Sequence, residues 1–175
     1  MLLCAPAGIK VQSLDERLSQ YAAYHRDRRN IATHCVGIPL IVLAVAILLA
    51  RVRMSALPAV SLATIFIVPI ALYYLWLDLR FGVVMSLLLA LAVWLGQRFA
   101  AAALLVWLGW GIGLFVGGWI LQLVGHKFEG RKPAFVDDLM SLIIGPLFVV
   151  AEAAFALGLR RSLQQAMDGK TARLS

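Results

Sequence analysis

Five apolar stretches, four of them long, constrain this chain more than any other feature of its sequence. They cover about residues 31–50, 57–77, 81–95, 100–124 and 139–159. A helix needs roughly 20 apolar residues to cross the hydrocarbon core of a bilayer, with a lower limit near 17. Charged residues make up only 14% of the chain, against roughly 25% in a soluble domain. We therefore predict one all-α integral membrane domain over residues 1–175, with about five transmembrane helices.

A shorter amphipathic segment precedes the first stretch. Ser13 followed by Glu16 matches a capping box, which predicts the start of a helix. Apolar and aromatic residues recur at helical spacing in this segment: Val11, Leu14, Leu18, Tyr21 and His25. We predict an amphipathic helix over residues 11–26, with this stripe facing the membrane or the protein interior. Asn30 is the predicted N-cap of the next helix, and residues 160–175 are predicted to form a polar tail.

The three histidines of the chain lie at the edges of apolar stretches. His25 and His34 sit close to the start of the first stretch, and His126 follows the fourth, three residues ahead of Glu129. Imidazoles and carboxylates are ligands of divalent transition metals, so these residues predict one shared metal site. His34 and His126 share a membrane face only if an even number of crossings separates them. The site therefore requires that the short stretch, residues 81–95, spans the membrane.

A second requirement concerns His25 and His34. Nine residues of one straight helix would turn their side chains about 180° apart, at 100° per residue. The two imidazoles can share a ligand only if the chain bends between them. The basic segment of residues 26–30 is the predicted position of that bend.

Two carboxylates are candidates to complete the site or to orient its imidazoles. Gln122, His126 and Glu129 are spaced i, i+4, i+7, so they share one helical face. Glu152 lies inside the last apolar stretch, where a carboxylate is costly and indicates a functional site. We expect Glu152 to hold an imidazole or to act structurally rather than to ligate. Ligation by Glu129 or by Glu152 stays open at this point.

Basic and small residues indicate how the chain meets its surroundings. The net charge of +7 is spread over loops and tail, which favours membrane anchoring over nucleic-acid binding. The basic residues before the first stretch favour a cytoplasmic N-terminus. Arg131 and Lys132 are candidates to bind an acidic substrate head, with membrane anchoring as the alternative. Gly109, Gly113 and Gly117 form a stripe that predicts a packing surface for another helix.

Two blocks of residues form recognisable motifs at the two ends of the membrane domain, over about residues 20–40 and 119–156. The first contains Tyr24-His25, Asn30, His34 and Gly37-Ile38-Pro39. The second contains Gln122, Gly125-His126, Phe128-Glu129, Pro133-Ala134, Pro146, Phe148 and Glu152. Together they resemble the membrane family that includes the fungal 2-hydroxy fatty acid dioxygenase of phytosphingosine breakdown.

The resemblance implies an iron(II)-dependent dioxygenase that shortens 2-hydroxy fatty acids by one carbon. It assigns His25, His34 and His126 as metal ligands and catalytic residues. Asn30, Gln122, Arg131 and Lys132 are then assigned to the outer shell of the metal or to the substrate. An octahedral ion with three protein ligands keeps three positions, enough for a chelating 2-hydroxy acid and dioxygen. The resemblance also implies a bacterial-type member in the inner membrane, and we expect the site at its cytoplasmic face.

Other interpretations remain open at this point. Zinc and manganese suit the same ligand types as iron. A non-enzymatic lipid-binding or scaffold membrane protein would need no metal, and a haem-binding membrane protein would use two of the histidines. A proton-coupled transporter built on Glu152 has thinner support. The substrate chain length and the oligomeric state do not follow from the sequence.

Overall fold

Seven α-helices make up most of the part of the chain that the structure describes. The structure is a computed structural model, and it describes residues 12–55, 57, 60–130, 132–133 and 136–173. Within those residues the helices are α1 (Leu14–Ala23), α2 (Arg28–Ala50), α3 (Leu62–Leu77), α4 (Leu79–Ala100), α5 (Leu104–Glu129), α6 (Ser141–Ala156) and α7 (Arg161–Thr171). The β-type pairing among the described residues is one isolated antiparallel bridge, between Arg53 and Ser61. The predicted all-α class is confirmed.

Helices α2 and α5 form a closely packed antiparallel pair. A Cβ atom placed on Gly118 of α5 would lie 2.8 Å from the carbonyl oxygen of Gly37 of α2. Towards the other end of the pair, the indole N–H of Trp107 donates to the carbonyl oxygen of Ile47 at 2.8 Å. The start of α2 therefore lies beside the end of α5. We call this end of the bundle the histidine end, because His34 and His126 lie there.

Helices α3 and α4 run between the same two ends. A Cβ on Gly96 of α4 would lie 2.7 Å from the carbonyl oxygen of Ala46, so α4 also packs closely on α2. Asp78 ends α3 and starts α4, and its carboxylate accepts a hydrogen bond from the backbone N–H of Phe81 at 2.9 Å. The α3–α4 turn lies at the histidine end. Helices α2 to α5 thus alternate in direction. This alternation is what places His34 and His126 at the same end of the bundle.

Three of the described helices are long and apolar enough to cross a membrane. These are α2, α4 and α5, with 23, 22 and 26 residues. Helix α4 is longer than the predicted stretch 81–95, so this segment is long enough to span. Helix α3 has 16 residues, fewer than the predicted stretch 57–77, because the Ser61 side chain caps it by accepting from the N–H of Thr64. The predicted number of five spans is not confirmed.

Helix α6 starts and ends at the histidine end of the bundle. Before its start, the hydroxyl of Tyr24 donates to Asp137 at 3.4 Å. After its end, the guanidinium of Arg160 binds the carboxylate of Asp78 at 2.7 Å. Arg160 has a left-handed backbone with a φ of 54°, and the chain bends by 120° between α6 and α7. The stretch predicted over residues 139–159 therefore does not run from one end of the bundle to the other.

The predicted N-terminal amphipathic helix is present as α1. The Glu16 carboxylate accepts a hydrogen bond from the backbone N–H of Ser13 at 3.0 Å, as the capping box predicts. Within the predicted stripe, Leu14, Leu18 and Tyr21 are buried and belong to a core cluster with residues of α6 and α7. The stripe therefore faces the protein interior. Its first member, Val11, lies outside the described residues.

The predicted polar tail contains a helix. Helix α7 packs on α1, where Lys170 binds Asp15 at 2.5 Å and the Ser19 hydroxyl donates to the carbonyl oxygen of Met167 at 3.2 Å. The hydrogen bond from Lys170 lowers the pKa of the Asp15 carboxyl below its usual range. The prediction of a polar tail did not specify its conformation. The structure adds a helix over residues 161–171, which buries the side chain of Met167.

The predicted glycine stripe is not the packing surface within this chain. Among the described residues, no neighbouring heavy atom lies within 4 Å of a Cβ built on Gly109, Gly113 or Gly117. The close contacts with α2 are made instead by Gly111, Gly118 and Gly125. These residues are seven apart, which keeps them on one face of α5 along the antiparallel contact. Close packing through glycines of α5 is therefore present, and within this chain it uses a different face from the predicted stripe.

We predict that Gly118→Ala destabilises the protein, whereas Gly113→Ala does not. The new methyl group at position 118 would meet α2 backbone and the Ile41 side chain, and overpacking typically costs about 1–3 kcal/mol. At position 113 the methyl group enters open space, and replacing glycine within a helix favours folding by up to about 1 kcal/mol. Thermal unfolding in detergent compares the two variants with the parent protein. Equal midpoints for both variants would contradict the assigned packing face.

Candidate metal centre

Three buried imidazoles meet at the histidine end of the bundle. One potential ligand atom from each of His25, His34 and His126 lies within 4.8 Å of the other two. The ring centroids are 4.6 Å apart for His25 and His34, 5.2 Å for His25 and His126, and 5.0 Å for His34 and His126. The three side chains come from the α1–α2 connection, from α2 and from α5. The residues predicted to share one site therefore do lie together.

The predicted bend between His25 and His34 is the connection between α1 and α2. Helix α1 ends at Ala23, and α2 begins at Arg28 after its N-cap, Asp27, whose carboxylate accepts from the N–H of Arg29 at 2.8 Å. His25 thus lies outside both helices, and its ring can turn towards His34. The prediction of Asn30 as N-cap was wrong, since Asp27 lies at the bend and caps the helix one turn earlier.

Backbone carbonyl groups orient two of the imidazoles. Nδ1 of His25 lies 2.7 Å from the carbonyl oxygen of Tyr21, and Nδ1 of His34 lies 2.9 Å from that of Asn30. A ring nitrogen that donates to a carbonyl fixes the tautomer, so that the other nitrogen, Nε2, carries the lone pair. Burial lowers the pKa of His25 to about 4, despite the opposing effect of the Tyr21 carbonyl. A neutral imidazole is the form that ligates metals.

Glu129 joins the α1–α2 connection to the end of α5. Its carboxylate accepts hydrogen bonds from the backbone N–H groups of Arg26 and Asp27, each at 3.0 Å. It also accepts from the side-chain amide of Asn30 at 2.9 Å. These donors occupy the carboxylate, so Glu129 holds in place the elements that carry the imidazoles. The group of ligand atoms found among the described residues contains the three histidines and not Glu129.

Asn30 connects Glu129 to His34. Its side-chain amide donates to Glu129, while its backbone oxygen is the partner of Nδ1 of His34. Asn30 is fully buried, and a Cβ on Gly125 of α5 would collide with its side chain and with Thr33. The glycine at position 125 therefore allows α5 to approach this residue. The sequence assigned Asn30 to the outer shell, and its position fits that role.

The other predicted residues occupy different surroundings. Gln122 is 6% exposed and lines the same cavity as the three imidazoles. Glu152 lies on α6 within electrostatic range of Cys35 and Asp168 and is not part of the group of ligand atoms. Lys132 is exposed and binds Asp137 at 2.5 Å. Arg131 lies outside the described residues.

Two aromatic residues support the site that sequence reasoning did not assign to it. The Tyr21 ring stacks on the His25 ring, with centroids 4.1 Å apart and planes 9° apart. Phe148 of α6 packs on both rings, at 4.9 Å from Tyr21 and 6.1 Å from His25. The sequence feature that could have identified Tyr21 is its position four residues before His25. Asn30 has the same spacing from His34, and both residues place a backbone carbonyl beside Nδ1 of the histidine. Phe148 belongs to the second motif block, but the motif did not place it beside His25, because that contact depends on the fold of α6.

The donor set fits a divalent transition metal. Nε2 of His25 and Nδ1 of His126 are buried and have no hydrogen-bond partner among the residues that the structure describes. Buried polar atoms of this kind are uncommon and call for an explanation such as an ion. Three neutral imidazoles that converge from three elements leave coordination positions open for other molecules. These ligand types are shared by several metals, so the geometry supports a metal site without selecting the ion.

We predict that Glu129→Gln weakens metal binding, because an amide cannot accept from all the donors that now surround the carboxylate. Loss of an outer-shell partner typically lowers metal affinity about 10–100-fold. Titration of the metal-free protein with Zn²⁺ or Fe²⁺ under anaerobic conditions gives the affinity. Glu152→Gln is the matched control, since it makes the same chemical change on a carboxylate outside the cluster. Equal losses in both variants would contradict the role of Glu129.

Comparison with known proteins places the chain in a family. A family model described as "2-hydroxy-palmitic acid dioxygenase Mpo1-like" matches residues 11–157. The chain is 31% identical over 163 residues to the 2-hydroxy-palmitic acid dioxygenase MPO1 of Saccharomyces cerevisiae, which covers 92% of this chain and 91% of the yeast protein. No solved structure matches the chain. The matched region contains all three histidines, Asn30 and Glu129, and the chain belongs to the Mpo1-like family of 2-hydroxy-palmitic acid dioxygenases.

Proposed function

We propose that this protein is an iron(II)-dependent dioxygenase that shortens 2-hydroxy fatty acids by one carbon. The observation that carries the proposal is the buried cluster of His25, His34 and His126, found in a chain of this family. The yeast relative is named for dioxygenation of 2-hydroxy-palmitic acid. A 2-hydroxy acid offers a carboxylate and a neighbouring hydroxyl, and these oxygens suit a metal with open positions.

The side chains around the site would hold the iron in place and keep water away from the imidazoles. His25, His34 and His126 would hold the iron, which supplies activation of dioxygen for oxidative cleavage of the C1–C2 bond. Tyr21 and Phe148 cover one side of the His25 ring and keep water away from it. Asn30 and Glu129 keep the imidazoles in one geometry, which lowers the cost of reaching a reactive arrangement. The apolar walls beside the imidazoles suit the alkyl part of the substrate.

The three-histidine cluster favours this function over the other classes. A haem would use two of the histidines, whereas here three imidazole rings converge, two pairs edge to face and the third pair tilted. A lipid-binding scaffold would not need a group of buried imidazoles, which are costly when they lack partners. A transporter built on Glu152 has less support, because that carboxylate lies at the histidine end rather than midway along the bundle.

The proposal places the chemistry at a membrane surface. Large apolar side chains are exposed along α2 to α5, with Leu105 at 83% as the extreme, and lipid is the solvent that such a surface requires. The imidazoles lie at one end of the helices, where the head of a lipid-like acid would reside. We propose that this end faces the cytoplasm in a bacterial inner membrane, because basic residues precede α2.

We predict that anaerobically purified protein contains iron and consumes dioxygen when a 2-hydroxy fatty acid is added. The product should be a fatty acid one carbon shorter. In His126→Ala, both iron content and oxygen uptake should fall, the latter by more than about 100-fold, which exceeds the usual effect of an outer-shell change. Elemental analysis, an oxygen electrode and mass spectrometry of the product provide the measurements.

Cys35→Ala is the matched control for this experiment. Cys35 is next to His34 in the chain but is exposed, so its replacement should leave iron content and oxygen uptake close to the parent values. Full iron content and full activity in His126→Ala would refute the assignment of the site. A haem absorbance band in the purified protein would support the haem alternative instead.

A further inference from the structure

A cavity next to the three imidazoles continues into an apolar groove. The cavity, of about 520 Å³ including its mouth, is lined by His25, His34 and His126 together with side chains of α2, α5 and α6. The groove, of about 1030 Å³ including the space at its open side, lies between α2, α3, α5 and α6. Val42, Trp119 and Pro146 line both spaces. The two spaces are therefore neighbours with common walls.

The groove extends from the imidazoles towards the opposite end of the bundle. Its far part is lined by Val45, Ala46 and Leu49 of α2 and by Ala63 and Phe66 of α3. His34 and Ala46 are twelve residues apart on α2, which corresponds to about 18 Å at 1.5 Å per residue. One leaflet of a bilayer is about 15 Å deep, half of the hydrocarbon thickness. The imidazole cavity and the groove together thus extend about as far as an acyl chain in one leaflet.

A polar side chain lies where the groove meets the imidazoles. Gln122 is more than nine-tenths buried, and its Nε2 has no hydrogen-bond partner among the described residues. It lines the imidazole cavity and does not line the groove. A buried amide N–H without a partner is suited to donate to an oxygen atom of a ligand. Polar groups at one end and apolar walls along the rest match a molecule with an acidic head and an alkyl tail.

We propose that the groove between α2, α3, α5 and α6 binds the alkyl chain of the acyl substrate, with its head at the imidazoles and Gln122. The inference rests on the proposed function, and adds to it the path of the chain and the residues that limit its length. A second apolar groove, of about 690 Å³ including the space at its open side, lies between α2, α4 and α6 and also adjoins the imidazole cavity. It has no lining residue from α5, the helix that carries Gln122 and His126, and is therefore the alternative path.

The test compares Val45→Trp, in the far part of the proposed groove, with Leu91→Trp in the alternative groove. Both side chains are partly exposed, at 38% and 51%, so both helices can accept the larger ring. Val45→Trp should lower the ratio of kcat/KM for 2-hydroxypalmitic acid to that for 2-hydroxyoctanoic acid by at least about tenfold. This is the effect of losing the burial of roughly two methylene groups. Leu91→Trp should keep the parent ratio.

The possible results distinguish an error in the proposed path of the alkyl chain from an error in the proposed function. A parent enzyme that is active on both acids, with a ratio unchanged in Val45→Trp or changed in Leu91→Trp, overturns the proposed path and leaves the function standing. A parent protein that oxidises neither acid refutes the function.

A second measurement uses the unmodified protein and needs no turnover. A 2-hydroxypalmitic acid with a photoreactive diazirine at its terminal carbon should crosslink to α3 near Ala63 and Phe66. Crosslinks to α4 near Leu91, or none that unlabelled acid competes away, overturn the proposed path.

Discussion

The carboxylate of Glu129 is the group on which the arrangement of the histidine end depends. It accepts from two backbone N–H groups of the α1–α2 connection, which lie outside helical hydrogen bonding, and from the side chain of Asn30. Backbone donors next to an apolar region need an acceptor, and here one side chain of a distant helix supplies it. His25 precedes this connection directly, and His126 lies one turn before Glu129. The same bonds that satisfy the connection therefore also set the distance between two imidazoles.

The position of the third imidazole, that of His34, depends on the close packing of α2 against α5. The glycine face of α5 lets α2 approach until backbone atoms touch, and the antiparallel direction puts His34 opposite His126. Helix α6 then packs across the histidine end, with Phe148 against Tyr21 and His25, and α7 holds α1 in place through Lys170. Burial keeps the imidazole of His25 neutral. The polar contacts of the site lie at the histidine end, and the cavity continues from there between apolar side chains. An acid with a long alkyl chain needs both kinds of surroundings, polar for its head and apolar for its chain.

The hydropathy pattern predicted the positions of the helices more accurately than their lengths. The apolar stretch at residues 81–95 is shorter than a usual span, although the shared histidine site required it to cross. Helix α4 is longer at both ends, from Leu79 to Ala100, because a polar residue near a helix end does not stop the helix. The stretch at residues 57–77 looked sufficient, yet α3 begins at Leu62 because Ser61 caps it. Apolar composition shows where lipid or core is the preferred solvent, whereas capping residues and close contacts decide where each helix stops.

The sequence by itself determined the helical class, the need for an apolar solvent, the capping box of α1 and the bend that lets His25 and His34 meet. These features depend on composition, periodicity and the geometry of a single helix, which are local. Only the tertiary structure decided that Glu129 holds a turn instead of joining the cluster of ligand atoms, and that Gly118 rather than Gly117 faces α2. It also decided that α6 returns to the histidine end, where Arg160 binds Asp78. Each of these depends on partners that are distant in the chain, and helical spacing can identify a shared face but not the residues that this face will meet.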